Sequence, residues 1–239
     1  MAQGPDFQLA GGSALVTGAG SGIGRAIALA LAREGMRLVL VGRTAGTLGE
    51  TARLAGGGEV VAADIATEAG RDEVSAAAPP ALRALVHSAG LFLHRPAAAT
   101  SAAEWAALSA VNLEAPMRLT AACLGALRAG AGHVVFINST AGLRVGAGNA
   151  AYAASKHALR AAADALRQEV NADGIRVLSV FPGRTDTPMQ EAVLRAEGRS
   201  ARPGALLYPE DVAAMVVSAL RLPARAEVTE IALRPSSPL

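Results

Sequence analysis

The sequence predicts an α/β fold, a doubly wound sheet of about seven parallel strands with helices on both faces. Short apolar runs alternate with Ala-rich helical patterns along nearly all 239 residues, which is typical of βαβ units. The apolar runs are almost continuously Val, Leu and Ile, as strands buried on both faces require. The composition, 51% apolar but only 3% aromatic, suits helices packed closely on a sheet. No repeat, linker or charge block divides the chain, so we expect one domain over residues 1–239.

The strands and helices alternate in regular order. Each strand is a short β-branched or Leu-rich run, whereas each helical pattern is longer and rich in Ala. Pro209 begins the last helix, a position that helices tolerate. The predicted strands are Ser13–Thr17, Arg37–Val41, Glu59–Ala63, Leu82–Ser88, His133–Asn138, Arg176–Phe181 and Val228–Leu233. The clearest predicted helices are Gly22–Glu34, Ala115–Ala129, Ala151–Asn171 and Pro209–Leu222.

The segment Thr187–Tyr208 is weakly patterned and contains Gly198, Pro203 and Gly204. It follows the sixth strand, and ligands of such sheets bind at the carboxyl ends of the strands. We therefore expect residues 187–208 to form a flexible flap over a substrate rather than part of the core.

Composition and motifs exclude several classes of protein. Cys123 is the only cysteine, so no internal disulfide can form and a reducing compartment is expected. The first residues, MAQGPDFQLAGG, lack the basic and apolar regions of a signal peptide, and no run of ~18 apolar residues predicts a membrane span. The formal charge is +2 and the arginines are scattered, unlike a nucleic-acid surface. We expect a cytoplasmic protein without membrane or nucleic-acid partners.

A glycine-rich turn, Thr17–Gly24, connects the first strand to the first helix. Its glycines allow a tight turn and a close approach to a pyrophosphate, and the helix N-terminus supplies N–H donors and a positive dipole. A glycine-rich turn alone is a weak signal that also fits a tight connection. The strand before it and the helix after it favour dinucleotide binding.

The residues after the second strand predict which dinucleotide is bound. An NAD site normally places an acidic residue here for the ribose hydroxyls, whereas a 2′-phosphate is better met by Arg. Gly42 occupies that position, followed by Arg43 and Thr44, which predicts NADP(H), although a solvated arginine is the alternative. Asp64, after the third strand, could reach the adenine or cap the next helix, with Thr67 as the competing cap.

The only lysine of the chain, Lys156, lies four residues after Tyr152, whereas the other 21 cationic side chains are arginines. On a helix, residues four apart share one face. A nearby ammonium favours the phenolate, so we expect Lys156 to lower the pKa of Tyr152. A pKa lower by ~2–3 corresponds to roughly 3–4 kcal/mol and would suit proton exchange with a substrate hydroxyl.

With these motifs in order, the chain resembles the short-chain dehydrogenase/reductases from about Ser13 to Leu233. The family has a single Rossmann-like domain. The matching motifs are Thr17–Gly24, Asp64, His87-Ser88-Ala89-Gly90, Asn112, Ser139, Tyr152-Ala153-Ala154-Ser155-Lys156, and Pro182-Gly183 with Thr187.

The resemblance implies a catalytic tetrad of Asn112, Ser139, Tyr152 and Lys156. Ser139 would donate a hydrogen bond to the substrate oxygen, Tyr152 would exchange its proton, Lys156 would also hold the nicotinamide ribose, and Asn112 would position a water that links the lysine to solvent. Thr140 is the competing hydroxyl, but Ser139 has the family's spacing to Tyr152. Singly, Ser139 and Asn112 would fit a strand-end turn and a helix cap.

The loop, the strand ends and the resemblance together predict the cofactor site. Thr187 could bind the carboxamide and also cap a helix that starts at Pro188. The predicted cofactor-binding residues are Gly18, Ser21, Gly22, Ile23, Gly24, Arg43, Thr44, Asp64, Ile65, Ser88, Ala89, Gly90, Tyr152, Lys156, Pro182, Gly183, Thr185 and Thr187. No metal site is predicted.

Two positions depart from the family pattern. His87-Ser88 replaces the usual Asn-Asn after the fourth strand, and we interpret His87 as structural because no second metal ligand accompanies it. The chain ends in Ala232–Pro235 instead of the Gly-Gly common near the end of relatives. That region often forms subunit interfaces, so a homodimer is as consistent with the sequence as the family's usual homotetramer.

The resemblance implies an NADP(H)-dependent oxidoreductase that acts on a carbonyl or secondary alcohol. Mostly apolar residues would line its substrate pocket, which favours an apolar small molecule, although Arg144 could recognise a carboxylate. An epimerase or dehydratase is disfavoured by the glycine spacing and chain length. A non-catalytic NADP(H) sensor or scaffold is disfavoured because the tetrad is complete. The predicted pocket residues are Leu91, Phe92, Leu143, Arg144, Asn149, Met189 and Val193.

Overall fold

A computed structural model of the chain describes residues 9–202 and 204–236. Its centre is one parallel sheet of seven strands in the order β3-β2-β1-β4-β5-β6-β7. The predicted fold class is confirmed, and strand ends differ from the predicted ones by at most two residues, within the usual uncertainty of boundaries. The strands are β1 Ser13–Thr17, β2 Arg37–Gly42, β3 Glu59–Ala62, β4 Ala84–His87, β5 His133–Ile137, β6 Arg176–Pro182 and β7 Glu230–Leu233.

The strand order reverses between β1 and β4. From β1 the chain proceeds outward to β2 and β3, then crosses back to add β4 on the other side of β1. Loops leaving β1 and β4 therefore diverge in opposite directions. In open α/β sheets such a switch point leaves a crevice at the carboxyl ends of the strands, where ligands bind.

Helices cover both faces of the sheet. One core contains Ile27, Leu31 and Val216, and the other contains Leu119 and Leu159, all buried. Burying such a side chain stabilises the fold by about 1.5–3 kcal/mol, so the two cores hold the sheet edge rigidly in place beneath the site. The helices are α1 Gly22–Arg33, α2 Ala45–Ala55, α3 Glu68–Ala76, α4 Ala102–Ser109, α5 Ala115–Gly130, α6 Ala150–Val170, α7 Pro188–Ala196 and α8 Pro209–Leu220.

Between α4 and α5 the chain forms a π-helical segment, Ala110–Glu114. Pro116, near the start of α5, has no N–H to donate to the carbonyl of Asn112 four residues earlier. The sequence therefore removes one α-helical hydrogen bond at this point. Single π turns of this kind occur often at functional sites, and here the turn carries the buried Asn112.

The weakly patterned segment after β6 contains a helix, α7, that starts at Pro188 as the Thr187-Pro188 pair predicted. Thr187 caps α7 by accepting a hydrogen bond from Gln190 N at 3.1 Å. The base of the segment is closed by Asp186 N donating to Leu207 O at 2.8 Å and Leu207 N donating to Arg184 O at 2.9 Å. The flexibility of residues 187–208 remains a prediction.

No helix within residues 9–202 and 204–236 is both long enough and apolar enough to cross a membrane.

Candidate active site

A cleft of about 1370 Å³ lies along the carboxyl ends of the strands. It is large enough for a dinucleotide beside a small substrate, since pockets for one drug-sized ligand occupy roughly 300–1,000 Å³. Every residue predicted to bind the cofactor lines this cleft: Gly18, Ser21, Gly22, Ile23, Gly24, Arg43, Thr44, Asp64, Ile65, Ser88, Ala89, Gly90, Tyr152, Lys156, Pro182, Gly183, Thr185 and Thr187.

The glycine-rich turn packs directly against the loop after β4. The Thr17 hydroxyl accepts hydrogen bonds from Ser88 N at 3.1 Å and Ala89 N at 3.2 Å. Gly18 has a φ of 68°, and a Cβ there would lie 2.7 Å from Ala89 N. A side chain at Gly24 would run into the Gly18 carbonyl. Glycine is therefore required for this turn, which brings bare backbone to the floor of the cleft.

The N-terminus of α1 opens into the cleft. Ser21 is the N-cap residue, but its hydroxyl makes no capping hydrogen bond, so the first N–H groups and the hydroxyl remain available to a ligand. Arg25 stabilises the turn, because its guanidinium donates hydrogen bonds to Gly20 O at 2.5 Å and to Thr51 Oγ1 at 3.0 Å. Free N–H donors and the helix dipole make this end a suitable anion site.

On the opposite side of the cleft, the loop after β2 has a cationic side chain and no carboxylate. Arg43 and Thr44 are exposed and line the cleft beside Gly42. Asp64, after β3, accepts a hydrogen bond from Ala66 N at 3.0 Å, while Thr67 caps α3. Of the two candidate caps, Thr67 is thus the actual one, and Asp64 lines the cleft.

Tyr152 and Lys156 lie on one face of α6, as their spacing predicted. Both side chains are buried, with 8% and 4% of their surface exposed. Lys156 Nζ lies 5.9 Å from the centroid of the Tyr152 ring and donates to Ile137 O at 3.1 Å. The carboxyl end of β5 therefore holds the ammonium beside the phenol.

The expectation that Tyr152 has a lowered pKa is wrong for the protein alone. Burial raises the pKa of Tyr152, and the Ser139 hydroxyl only partly opposes that rise. Burial also lowers the pKa of Lys156 to about 8. The physical reason is the same for both groups, since a low-dielectric environment penalises phenolate and ammonium alike. The sequence reasoning counted the charge of the neighbour and omitted the burial of the pair.

Ser139 follows β5 and stands beside Tyr152. Its hydroxyl accepts a hydrogen bond from Ala141 N at 3.1 Å, so it also serves the strand-end turn that was the alternative interpretation. Asn138, which the sequence analysis did not single out, donates to Lys156 O at 3.0 Å and accepts from Ser139 N at 2.9 Å. The sequence offered one signal for Asn138, because this residue lies between the end of a predicted strand and the predicted catalytic serine.

Asn112 lies behind the cleft rather than in its lining. Its side chain exchanges two hydrogen bonds with the backbone of Leu91, at 2.8 and 2.9 Å, and donates to Ser155 Oγ at 3.0 Å. A Cβ added at Gly90 would lie 3.3 Å from Asn112 Oδ1 and 3.9 Å from Lys156 Nζ. The absence of a side chain at Gly90 leaves a small space between the amide oxygen and the ammonium.

His87 is buried beneath the cleft at the end of β4. Its Nε2 lies 2.8 Å from the Thr120 hydroxyl, which donates to Pro116 O, and its ring stacks on Phe136. Burial lowers the pKa of His87 to about 3, so the ring is neutral near pH 7. These contacts tie β4 to α5 and β5, which is the structural position expected for His87.

The substrate end of the cleft has an apolar wall and a polar wall. Phe92 packs edge-on against the Tyr152 ring, with centroids 4.9 Å apart. Three polar residues that were not predicted, Arg184, Gln190 and Glu197, also line the cleft. The predicted pocket residues all line it too: Leu91, Phe92, Leu143, Arg144, Asn149, Met189 and Val193.

A switch-point cleft, a phosphate-type turn and a Tyr–Lys pair beside a Ser define an NAD(P)-dependent oxidoreductase. Comparison with known proteins agrees. The short chain dehydrogenase family matches residues 13–198, and the chain belongs to this family.

Relatives match over nearly the whole chain. An uncharacterized oxidoreductase from Staphylococcus epidermidis is 33% identical over 227 residues, which are 93% of this chain and 96% of the relative. A putative NAD(P)-dependent gluconate 5-dehydrogenase from Beutenbergia cavernae, solved with bound NADP, has a TM-score of 0.85 at 34% identity and covers 97% of this chain and 98% of its own. An alcohol dehydrogenase from Thermococcus sibiricus, complexed with 5-hydroxy-NADP, has a TM-score of 0.85 at 28% identity and covers 94% and 97%.

Proposed function

We propose that this protein is an NADP(H)-dependent oxidoreductase that interconverts a carbonyl and a secondary alcohol on a small molecule. The observation that carries the proposal is the buried Tyr152–Lys156 pair in the cleft, with the Ser139 hydroxyl beside it. A phenol, a hydroxyl and an ammonium supply a proton, a second hydrogen-bond donor and a positive charge. These are the groups that stabilise an oxygen gaining negative charge.

The cleft fits a dinucleotide on its own geometry. The bare backbone at Gly18 and Gly24 and the open N-terminus of α1 suit a pyrophosphate, and Arg43 with Thr44 suits a 2′-phosphate. Pro182–Gly183 and Thr187 would hold the nicotinamide end. Both solved relatives described above contain an NADP-type ligand, which supports the use of NADP. When bound, this cofactor supplies or accepts the hydride.

Tyr152, Ser139 and Lys156 have different roles in the proposed proton transfer. In reduction Tyr152 protonates the substrate oxygen, and in oxidation it removes the alcohol proton. Ser139 donates a hydrogen bond to the same oxygen while its charge develops. Lys156 supplies positive charge that favours the phenolate after the proton has left. The space at Gly90 suits a water between Asn112 Oδ1 and Lys156 Nζ, through which the pair can be reprotonated.

Asn112 acts mainly through position. Its amide fixes the backbone of Leu91 and, through the Ser155 hydroxyl, the carbonyl of Tyr152 at 2.7 Å. The loop after β4 and the catalytic helix are therefore held in one register. Asn112 therefore has a larger structural role than the sequence indicated, in addition to its proposed role in positioning a water.

The substrate is a small molecule with an apolar part. Leu91, Phe92, Met189 and Val193 line the cleft around Tyr152, and apolar walls with few polar groups are typical of such pockets. A cytoplasmic homodimer or homotetramer remains our prediction from the sequence.

The test is the loss of nicotinamide absorbance on purified protein, with NADPH and NADH in parallel against a broad panel of carbonyl compounds. Turnover with NADPH preferred supports the proposal. Turnover with NADH preferred contradicts the assignment of Arg43. If no carbonyl is reduced and no alcohol is oxidised, although NADPH binds, the non-catalytic NADP(H) sensor becomes the better description.

A further inference from the structure

The flap side of the cleft contains hydrogen-bond donors that the chain itself does not use. Arg184 Nη2 donates to both carboxylate oxygens of Glu197, each at 2.8 Å. Arg184 Nη1 and Gln190 Nε2 are shielded from solvent and have no acceptor among residues 9–202 and 204–236. Gln190 is only 8% exposed, so its unused donor lies well inside the structure.

Unused buried donors require an explanation, because each costs about 1–3 kcal/mol and native proteins contain few of them. The described residues have four buried side-chain N or O atoms without a partner. Those of His87 and Ser179 lie in the sheet beneath the site, outside the cleft lining. The other two, on Arg184 and Gln190, belong to residues that line the cleft. A ligand that enters the cleft is therefore the natural acceptor for this pair.

Nearby contacts place the Arg184 donor toward the catalytic end of the cleft. The Arg184 guanidinium holds the pKa of Glu197 below its usual range, and His94 adds to this effect from close by. His94 in turn lies 3.0 Å from Asn149 Oδ1 through its Nδ1, and Asn149 is the N-cap residue of α6, which carries Tyr152. Arg184 and Glu197 thus lie toward the start of α6, which carries Tyr152. Thr187, which accepts a hydrogen bond from Gln190 N, also lies beside the phosphate turn, because a Cβ at Gly22 would be 3.0 Å from its Cγ2.

The local charge indicates which acceptor is recognised. Arg184 and Glu197 compensate each other, and Arg199 adds a further positive charge near Glu197. Both unused atoms are N–H donors and one of them belongs to a guanidinium, so an anionic oxygen fits better than a neutral one. Guanidinium groups recognise carboxylates particularly well.

We propose that the substrate is a carbonyl compound bearing a carboxylate, an oxo acid in reduction or a hydroxy acid in oxidation, and that Arg184 and Gln190 bind its carboxylate. Gln190 is then a specificity-determining residue, and its side chain and that of Arg184 turn toward the cleft when the ligand binds. The apolar wall at Phe92 contacts the rest of the molecule. This inference rests on the proposed oxidoreductase function.

The kinetic test uses NADPH with benzoylpropionate and its methyl ester, whose ketones are alike but whose far ends differ in charge. Wild type should have a lower KM for the acid. Gln190→Glu places a negative charge against the carboxylate and should raise that KM about tenfold or more, with the ester changed less than about threefold. Gln190→Met, which removes the amide without adding a charge, should give a smaller rise. Gln168→Glu, the same change at an exposed site of α6, is the control and should change neither KM.

Three results would overturn the inference. The first is an equal KM for the acid and the ester in wild type, and the second is an equal weakening of both substrates by Gln190→Glu. The third is a variant that weakens NADPH binding and leaves substrate discrimination intact, which would show that the donors serve the cofactor.

A binding measurement keeps the inference separate from turnover. Calorimetry with the NADP-loaded protein compares phenylacetate with phenylacetamide. Phenylacetate should bind more tightly, and Gln190→Glu should abolish the difference. If no carbonyl compound is reduced but this pattern holds, the oxidoreductase proposal fails while the carboxylate site stands. Equal binding of the acid and the amide contradicts the carboxylate site even if turnover is observed.

Discussion

Replacing the only lysine should stabilise the protein while removing its activity. Lys156 is 4% exposed, and burial lowers its pKa from 10.5 to about 8. At ~1.36 kcal/mol per pH unit, that difference corresponds to a destabilisation of roughly 3 kcal/mol at pH 7. Lys156→Met removes this cost. It also leaves Ile137 O without the Nζ donor, a loss of about 1–2 kcal/mol, so the variant should be about 1–2 kcal/mol more stable at pH 7.

The pH dependence gives a sharper test than the value at one pH. Between pH 8 and 10.5 the unfolded chain keeps the lysine proton that the folded protein has already lost. Stability rises with pH wherever the unfolded state binds more protons. Wild type should therefore gain roughly 3 kcal/mol relative to Lys156→Met across this window, and the gain should be absent below pH 8.

Urea unfolding of both proteins between pH 7 and 10.5 measures this difference. Groups that titrate alike in both proteins cancel in the comparison, including Cys123, whose pKa burial raises to about 11. A stability difference that stays constant with pH, or one that falls as pH rises, would refute the account of a charged lysine held at an energetic cost.

The remaining predictions concern the cofactor cradle and the strand end. Arg43→Ala should raise the Kd of NADPH by about tenfold or more, which corresponds to the loss of one charged hydrogen bond, while the Kd of NADH changes little. Equal effects on the two Kd values would show that Arg43 does not contact the 2′-phosphate. Gly24→Ala should lower stability by about 1–3 kcal/mol and weaken both cofactors, whereas Gly46→Ala, which has open space around it, should do neither in the same titrations. Asn138→Ala should lower kcat about 10-fold or more with NADPH affinity nearly unchanged, because the Ser139 amide and the catalytic helix lose their common anchor; an unchanged kcat in stopped-flow turnover would contradict that role.

Local patterning was enough to predict the sheet. Inner strands such as β1 and β5 are apolar runs buried on both faces, as the strands of a parallel sheet covered by helices require, whereas the edge strands β3 and β7 are largely exposed. The switch point then placed the glycine turn, Arg43 and Tyr152 at one edge, where the structure has them. The shared helix face of Tyr152 and Lys156 followed from helical spacing alone.

Properties that depend on burial and on distant contacts could not be predicted in this way. The direction of the Tyr152 pKa depends on how much protein surrounds the ring, which no local pattern specifies. To predict the π turn at Asn112, one would have to know that α4, the turn and α5 form one continuous helical stretch that contains Pro116. Likewise, Arg184 and Glu197 are 13 residues apart across a weakly patterned segment, so only the folded chain shows them as a pair.

The central claim, that Tyr152 transfers the proton, is tested most directly by Tyr152→Phe. The variant keeps the ring that packs on Phe92 and removes only the hydroxyl. The account predicts that kcat for carbonyl reduction falls at least about 100-fold while the Kd of NADPH, measured by fluorescence, changes little. A variant that keeps a kcat similar to wild type would show that another group supplies the proton.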